Sequence, residues 1–142
     1  MNLIKIAKSY LKQAEVRLKD SEEALEEGIY PYALRLSQEC VELSLKGILK
    51  IVGIEYPKKH DVSDVILATK DRFPDWFKKE IDFLANTSKK LAKKREVSMY
   101  GNEEIALSPE EAISKGEAQI AVKDAKKVYE LCKKLLEEYI SK

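Results

Sequence analysis

Histidine is nearly absent from this 142-residue chain: His60 is the single one, so no mechanism needing two imidazoles can be built within one copy. Cysteine is almost as scarce. Cys40 and Cys132 have no neighbour at metal-ligand or redox-motif spacing, and both are read as buried thiols in a reducing compartment. The five glycines are scattered and form no phosphate-cradling loop, and no Glu-x-x-His pair is present to build a di-metal centre in a bundle. No serine or cysteine has a His partner at a telling spacing, so neither a metal nor a cofactor is expected. No apolar run reaches signal-peptide or membrane-spanning length, which predicts a soluble cytoplasmic protein with no membrane partner. Charge of one sign is lacking as well. Lys and Arg total 26 against 25 Asp and Glu, leaving no whole-molecule basic field to attract nucleic acid, so any RNA contact must come from a local patch.

What the chain does have is apolar spacing of 3 and 4 residues almost throughout, with no alternating strand pattern. With 44% hydrophobic and 36% charged residues, residues 1–142 suit one domain able to bury a core without disulfides. Abundant Lys and Glu beside three Asn and three Gln point to a thermophilic source. The predicted class is all-α, an up-and-down bundle of four to five helices.

A first helix is predicted from about Asn2 to Glu27, with Leu3, Ala7, Tyr10, Leu11, Ala14, Leu18 and Leu25 to one side before Gly28. Pro31 suits the first turn of a second helix, which continues to about Val52 and stops at Gly53. This helix carries two faces that could be buried: Leu34, Val41, Leu45, Ile48, Leu49 and Val52 on one, and Ala33, Ser37, Cys40, Ser44 and Gly47 on the other. It is therefore expected at the centre, and its small-residue seam invites a close neighbour from the same chain or a second subunit. Asp61 with Asp64 reads as a cap opening a short helix through Lys70, and Pro74 restarts a helix extending to about Arg95. Glu96 to Leu107 reads as loop. Ser108 and Ser114 each start a capping box, with Glu111 and Glu117 three residues on, and Ser114 is the preferred cap of a long final helix.

Phe77, Ile81, Leu84, Ser88, Leu91 and Arg95 fall at steps of 4, 3, 4, 3 and 4, so Arg95 shares an inward seam. A guanidinium there needs a carboxylate, a carbonyl set, a phosphate or an open cleft, which makes Arg95 a site candidate; the plainer expectation is pairing with an acid such as Glu42. Lys89, Lys90, Lys93 and Lys94 fall mostly off that seam. With Arg95 they place five cations within two turns, enough to contact several phosphates if no acid covers them, although no aromatic residue interleaves to stack bases. Arg35, Gln38, Glu39, Glu42, Lys46 and Lys50 form a polar stripe on the second helix, either a solvated ladder or a pocket in which Glu42 orients Arg95.

The segment Tyr30 to Val62, YPYALRLSQECVELSLKGILKIVGIEYPKKHDV, resembles the central part of HEPN domains, with the strongest likeness from Ala33 to Asp61, including Glu42-Leu43-Ser44-Leu45-Lys46 and the His60-Asp61 helix start. Weaker likeness extends over Arg95 to Gly101 and Ala118 to Tyr129. The resemblance implies a small helical bundle, a homodimer, and a nucleotide- or RNA-binding accessory protein acting with a separate nucleotidyltransferase in a toxin-antitoxin-like pair. Catalytic members of that family carry an Arg, four to six residues and a His near this helix end. Here Tyr100 stands in the His place, and a phenol, with a pKa of about 10, replaces imidazole poorly in proton transfer. The resemblance thus implies phosphate or nucleotide contact through Arg95, Tyr100, Glu42 and Lys94. The alternatives are a metal-independent endoribonuclease toxin, with Arg95 on the phosphate and Tyr100, or His60 across a dimer, moving protons, and a non-catalytic helical interaction module. For His60 itself, a structural role at the helix start is the favoured reading.

Overall fold

The computed structural model describes residues 3–142 and is an all-α helical bundle. Its α-helical segments are α1 (Leu3–Glu26), α2 (Tyr30–Ile51), α3 (Ser63–Ala68), α4 (Asp75–Lys78), α5 (Ile81–Tyr100), α6 (Pro109–Ala112) and α7 (Lys115–Ser141). Four are long, as the apolar periodicity requires. Of the three short ones, α3 answers to the short helix expected after Asp61, while α4 and α6 raise the count above the expected four to five, because four residues each are too few to leave a period in the sequence. The expected start of the first helix at Asn2 lies outside the described residues.

Helix α2 is central and packs against α1, α5 and α7. Both of its predicted faces are buried: Leu34, Leu45, Ile48 and Leu49 are fully enclosed, and so are Ala33, Ser37, Cys40 and Ser44. The small-residue seam receives helices of the same chain. At Gly47 a Cβ would stand 2.6 Å from Leu11 Cδ2 and 3.4 Å from Tyr10 Cβ, so α1 crosses where α2 has no side chain. On the α7 side, the Cys40 thiol lies 3.9 Å from the Ala125 carbonyl.

Two boundaries depart from expectation. The helix restarted at Pro74 is broken into α4 and α5, and α5 runs on to Tyr100, converting the first five residues of the expected loop into helix. Ser98 is buried there, and the chain turns only at Gly101, with φ of 72°. A Cβ on Gly101 would lie 2.0 Å from the Leu107 carbonyl oxygen, where the Asn102–Leu107 bridge closes the loop. Arg95 is therefore held mid-helix and not at a frayed end.

The second departure concerns α3, which ends at Ala68 and is followed by a 3-10 turn, Lys70–Arg72. Asp61 sits one residue before the Val62 cap position, and its carboxylate accepts from the Ser63 N–H at 2.9 Å. It also accepts from the Ser88 hydroxyl at 2.9 Å, while that hydroxyl oxygen accepts from the Val62 N–H at 3.0 Å. The Asp61 capping chemistry thus ties α3 to α5. Both capping boxes form, Ser108 with Glu111 on α6 and Ser114 with Glu117 on α7.

Candidate functional site

Two members of the α2 polar stripe, Gln38 and Glu39, meet Arg95 of α5. The predicted seam is real: Phe77, Ile81, Leu84, Ser88 and Leu91 are buried, and the Arg95 side chain is 20% exposed at the end of the row. One guanidinium nitrogen, Nη1, donates to Gln38 Oε1 at 2.8 Å and to Glu39 Oε2 at 3.0 Å. The other two nitrogens donate to no side chain or carbonyl among the described residues. The acid that meets Arg95 is Glu39 and not Glu42. Sequence spacing places both carboxylates on one stripe but cannot say which turn of α2 faces α5.

Glu42 is reached one hydrogen bond further on. Gln38, 1% exposed, donates from Nε2 to Glu42 Oε1 at 2.9 Å. The same oxygen meets His60 Nδ1 at 2.7 Å, and Oε2 accepts from Lys46 Nζ at 2.8 Å. Burial pushes the Glu42 pKa up, but hydrogen bonds from Lys46, Gln38 and His60 outweigh it and hold the carboxyl below its ordinary range. An ionised carboxylate only accepts, so the proton of this contact resides on His60 Nδ1. The imidazole is 56% exposed. A continuous path, Arg95–Gln38–Glu42–His60, therefore joins two residues that sequence spacing gave no reason to connect within one chain.

The remaining candidates lie elsewhere. Tyr100 is 60% exposed and lines a shallow groove of about 380 Å³ with Glu96, Glu103 and Glu104. Five residues along an α-helix turn about 140°, so Arg95 and Tyr100 address different surfaces of the same copy. Lys94 donates to Glu117 at 2.7 Å and Lys90 to Asp124 at 3.2 Å. Acids of α7 thus cover two of the five clustered cations. The cysteines are inert: both are buried free thiols, and burial pushes Cys40 up to about 12 and Cys132 well above the usual thiol range.

Sequence reasoning missed two partners. Arg17 of α1 donates from Nε to Glu39 Oε1 at 3.0 Å, and Arg35 Nε stands 3.9 Å from Glu39 Oε2. Arg35 and Glu39 were visible as an i,i+4 pair, whereas Arg17, beside the inward Ala14 and Leu18, gave no sign of reaching another helix. The second miss is Tyr56, whose ring carries the ammonium groups of Lys46 and Lys50 at 5.3 Å each. It borders an open cleft of about 500 Å³ that Tyr10, Glu42 and Lys58 also line. Burial and a contact with the Tyr10 hydroxyl raise the Tyr56 pKa. Among the described residues no cluster of His, Cys, Asp or Glu could hold a metal ion, and no helix is long and apolar enough to cross a membrane.

Comparison with known proteins adds three findings. The HEPN domain model matches residues 7–135. A Methanocaldococcus jannaschii protein named "Putative toxin MJ1304" is 30% identical over 139 residues, which is 95% of this chain and 91% of that one. The crystal structure of ST0689, an archaeal HEPN homologue, superposes with a TM-score of 0.69 at 24% identity, covering 92% of this chain and 97% of that chain.

Proposed function

This chain belongs to the HEPN domain family, and from that membership we propose that it is the toxin-like protein of a two-component pair. In this reading it binds nucleotide or RNA phosphate through Arg95, forms a homodimer and works with a separate nucleotidyltransferase. The observation that carries the reading is the Arg95 guanidinium, on a largely buried side chain and fixed by Gln38 and Glu39 through a single nitrogen. Its remaining N–H groups are oriented without being consumed, which is the state a planar fork needs to meet a phosphate. The name of the M. jannaschii relative supports the toxin-like role. Cytoplasmic residence belongs to the same proposal.

The test is binding of end-labelled single-stranded and structured RNAs and of nucleoside triphosphates to the wild type and to Arg95→Ala. Binding that falls at least tenfold in the variant supports the reading; equal binding by both, or none by either, overturns it. Light scattering at micromolar concentration checks the homodimer.

One observation favours a second reading, a metal-independent endoribonuclease. The Glu42–His60 contact holds a half-exposed imidazole through Nδ1, as a carboxylate does for a proton-transfer histidine. His60 would then supply the acid-base group that Tyr100 lacks. Cleavage of RNA in EDTA, lost in both His60→Ala and Arg95→Ala, supports it. Intact RNA with the wild type sinks it.

A further inference from the structure

Glu39 is asked to balance more positive charge than one carboxylate can. Arg17 from α1, Arg35 from α2 and Arg95 from α5 all converge on it, at 3.0, 3.9 and 3.0 Å. Among the described residues, these three arginines form ion pairs with no other acid. Their side chains are only partly exposed, at 33, 32 and 20%, and that of Glu39 at 24%. Arg35 Nε is buried and has no hydrogen-bond partner. A buried donor left unpaired is rare in folded proteins and calls for an explanation. Arg35 is otherwise held in place, its guanidinium lying 4.7 Å from the Tyr32 ring centroid, so the missing bond does not reflect a side chain free to turn elsewhere.

We infer that Arg17, Arg35 and Arg95, gathered by Glu39, form a phosphate-binding site whose second negative charge is brought by the ligand. The inference rests on the proposed nucleotide or RNA binding and names the residues that receive the phosphate beyond Arg95. Three guanidinium forks supplied by three helices can surround the oxygens of one phosphate, and Arg is the side chain suited to that geometry. Glu39 has two roles that pull apart. It assembles the arginines, and its own charge opposes the incoming anion.

That opposition gives the site a signature that a purely structural ion cluster lacks. The probe is inorganic pyrophosphate, titrated calorimetrically against the full chain at low salt. Wild type is expected to bind it, the Arg17→Gln/Arg35→Gln double variant to lose at least tenfold in affinity, and Glu39→Gln to bind several-fold more tightly even though it is less stable. Arg17→Lys/Arg35→Lys, which keeps the charge, should retain part of the binding, which covers the case in which the glutamine variant misfolds. Displacement of pyrophosphate by an RNA lacking a terminal phosphate identifies a phosphodiester as the ligand. Displacement by a nucleoside triphosphate alone identifies a free nucleotide.

No pyrophosphate binding by wild type, or binding that is equal in all variants, overturns the inference. So does displacement by neither competitor. RNA or nucleotide binding that depends on Arg95 while Arg17 and Arg35 are dispensable would keep the proposed function and remove this site from it.

Discussion

The two sides of α2 solve opposite problems with the same backbone. Toward α1 and α7 it offers Ala33, Ser37, Cys40, Ser44 and Gly47, all buried, so helices approach until a single methyl group would collide. Along its polar stripe it carries Arg35, Gln38, Glu39 and Glu42, and Gln38 and Glu39 bridge to Arg95 of α5 by hydrogen bonds. The first side gains from dispersion and burial. The second gains little net stability, because desolvating charges offsets much of their attraction. A helix held rigidly on one side can therefore carry a loosely balanced charge cluster on the other. The tight seam makes the polar network a fixed geometry at which ligand groups can be aimed.

The largest expected effect comes from breaking the packed side. Leu45→Ala removes a fully enclosed side chain and should cost about 2–5 kcal/mol, measured by urea unfolding, with the charge cluster destabilised along with everything else. Gly47→Val inserts atoms where Leu11 Cδ2 already stands 2.6 Å from a Cβ and should cost about 1–3 kcal/mol, again without touching a charged group. Ser114→Ala removes the hydroxyl that accepts from the Glu117 N–H and should cost about 1 kcal/mol. It weakens the start of α7 while leaving the α2–α5 network intact.

The smallest effect sharpens the polar side. Glu42 has a folded pKa below its ordinary value of 4.5, so its contribution is present above that pH and is lost as the pH falls through the folded value. The stability difference between wild type and Glu42→Gln should be constant at neutral pH and close below about pH 4.5. A difference that stays constant down to pH 3 would mean that the network adds nothing through the ionised form.

How far each side was legible in the sequence follows from the same contrast. The packed side was fully readable, because burial selects residue size and hydrophobicity at every turn, and Ala33 to Gly47 carries that selection as a period. Arg95 was readable as an anomaly in an otherwise apolar row. Its partners were not, since a carboxylate on a stripe satisfies the pattern at either Glu39 or Glu42. The two differ only in which turn lies opposite α5. Arg17 was beyond reach because its long side chain departs from the face on which its Cα sits. The extension of α5 through Tyr100 was missed because Gly101 and Asn102 dominated the local composition, while the buried Ser98 gave no apolar signal.

Gln38 also gives the molecule a built-in spectroscopic reporter. Its carboxamide is clamped at both ends, the oxygen by Arg95 and the nitrogen by Glu42, and it is almost wholly shielded from water. Its two amide protons should give a well-separated, slowly exchanging pair of resonances in a nitrogen-15 correlation spectrum. An anion drawn to the arginines would perturb that pair from one end, and a change of state at His60 from the other. One residue, observed without a probe attached at either end, thus registers events at both.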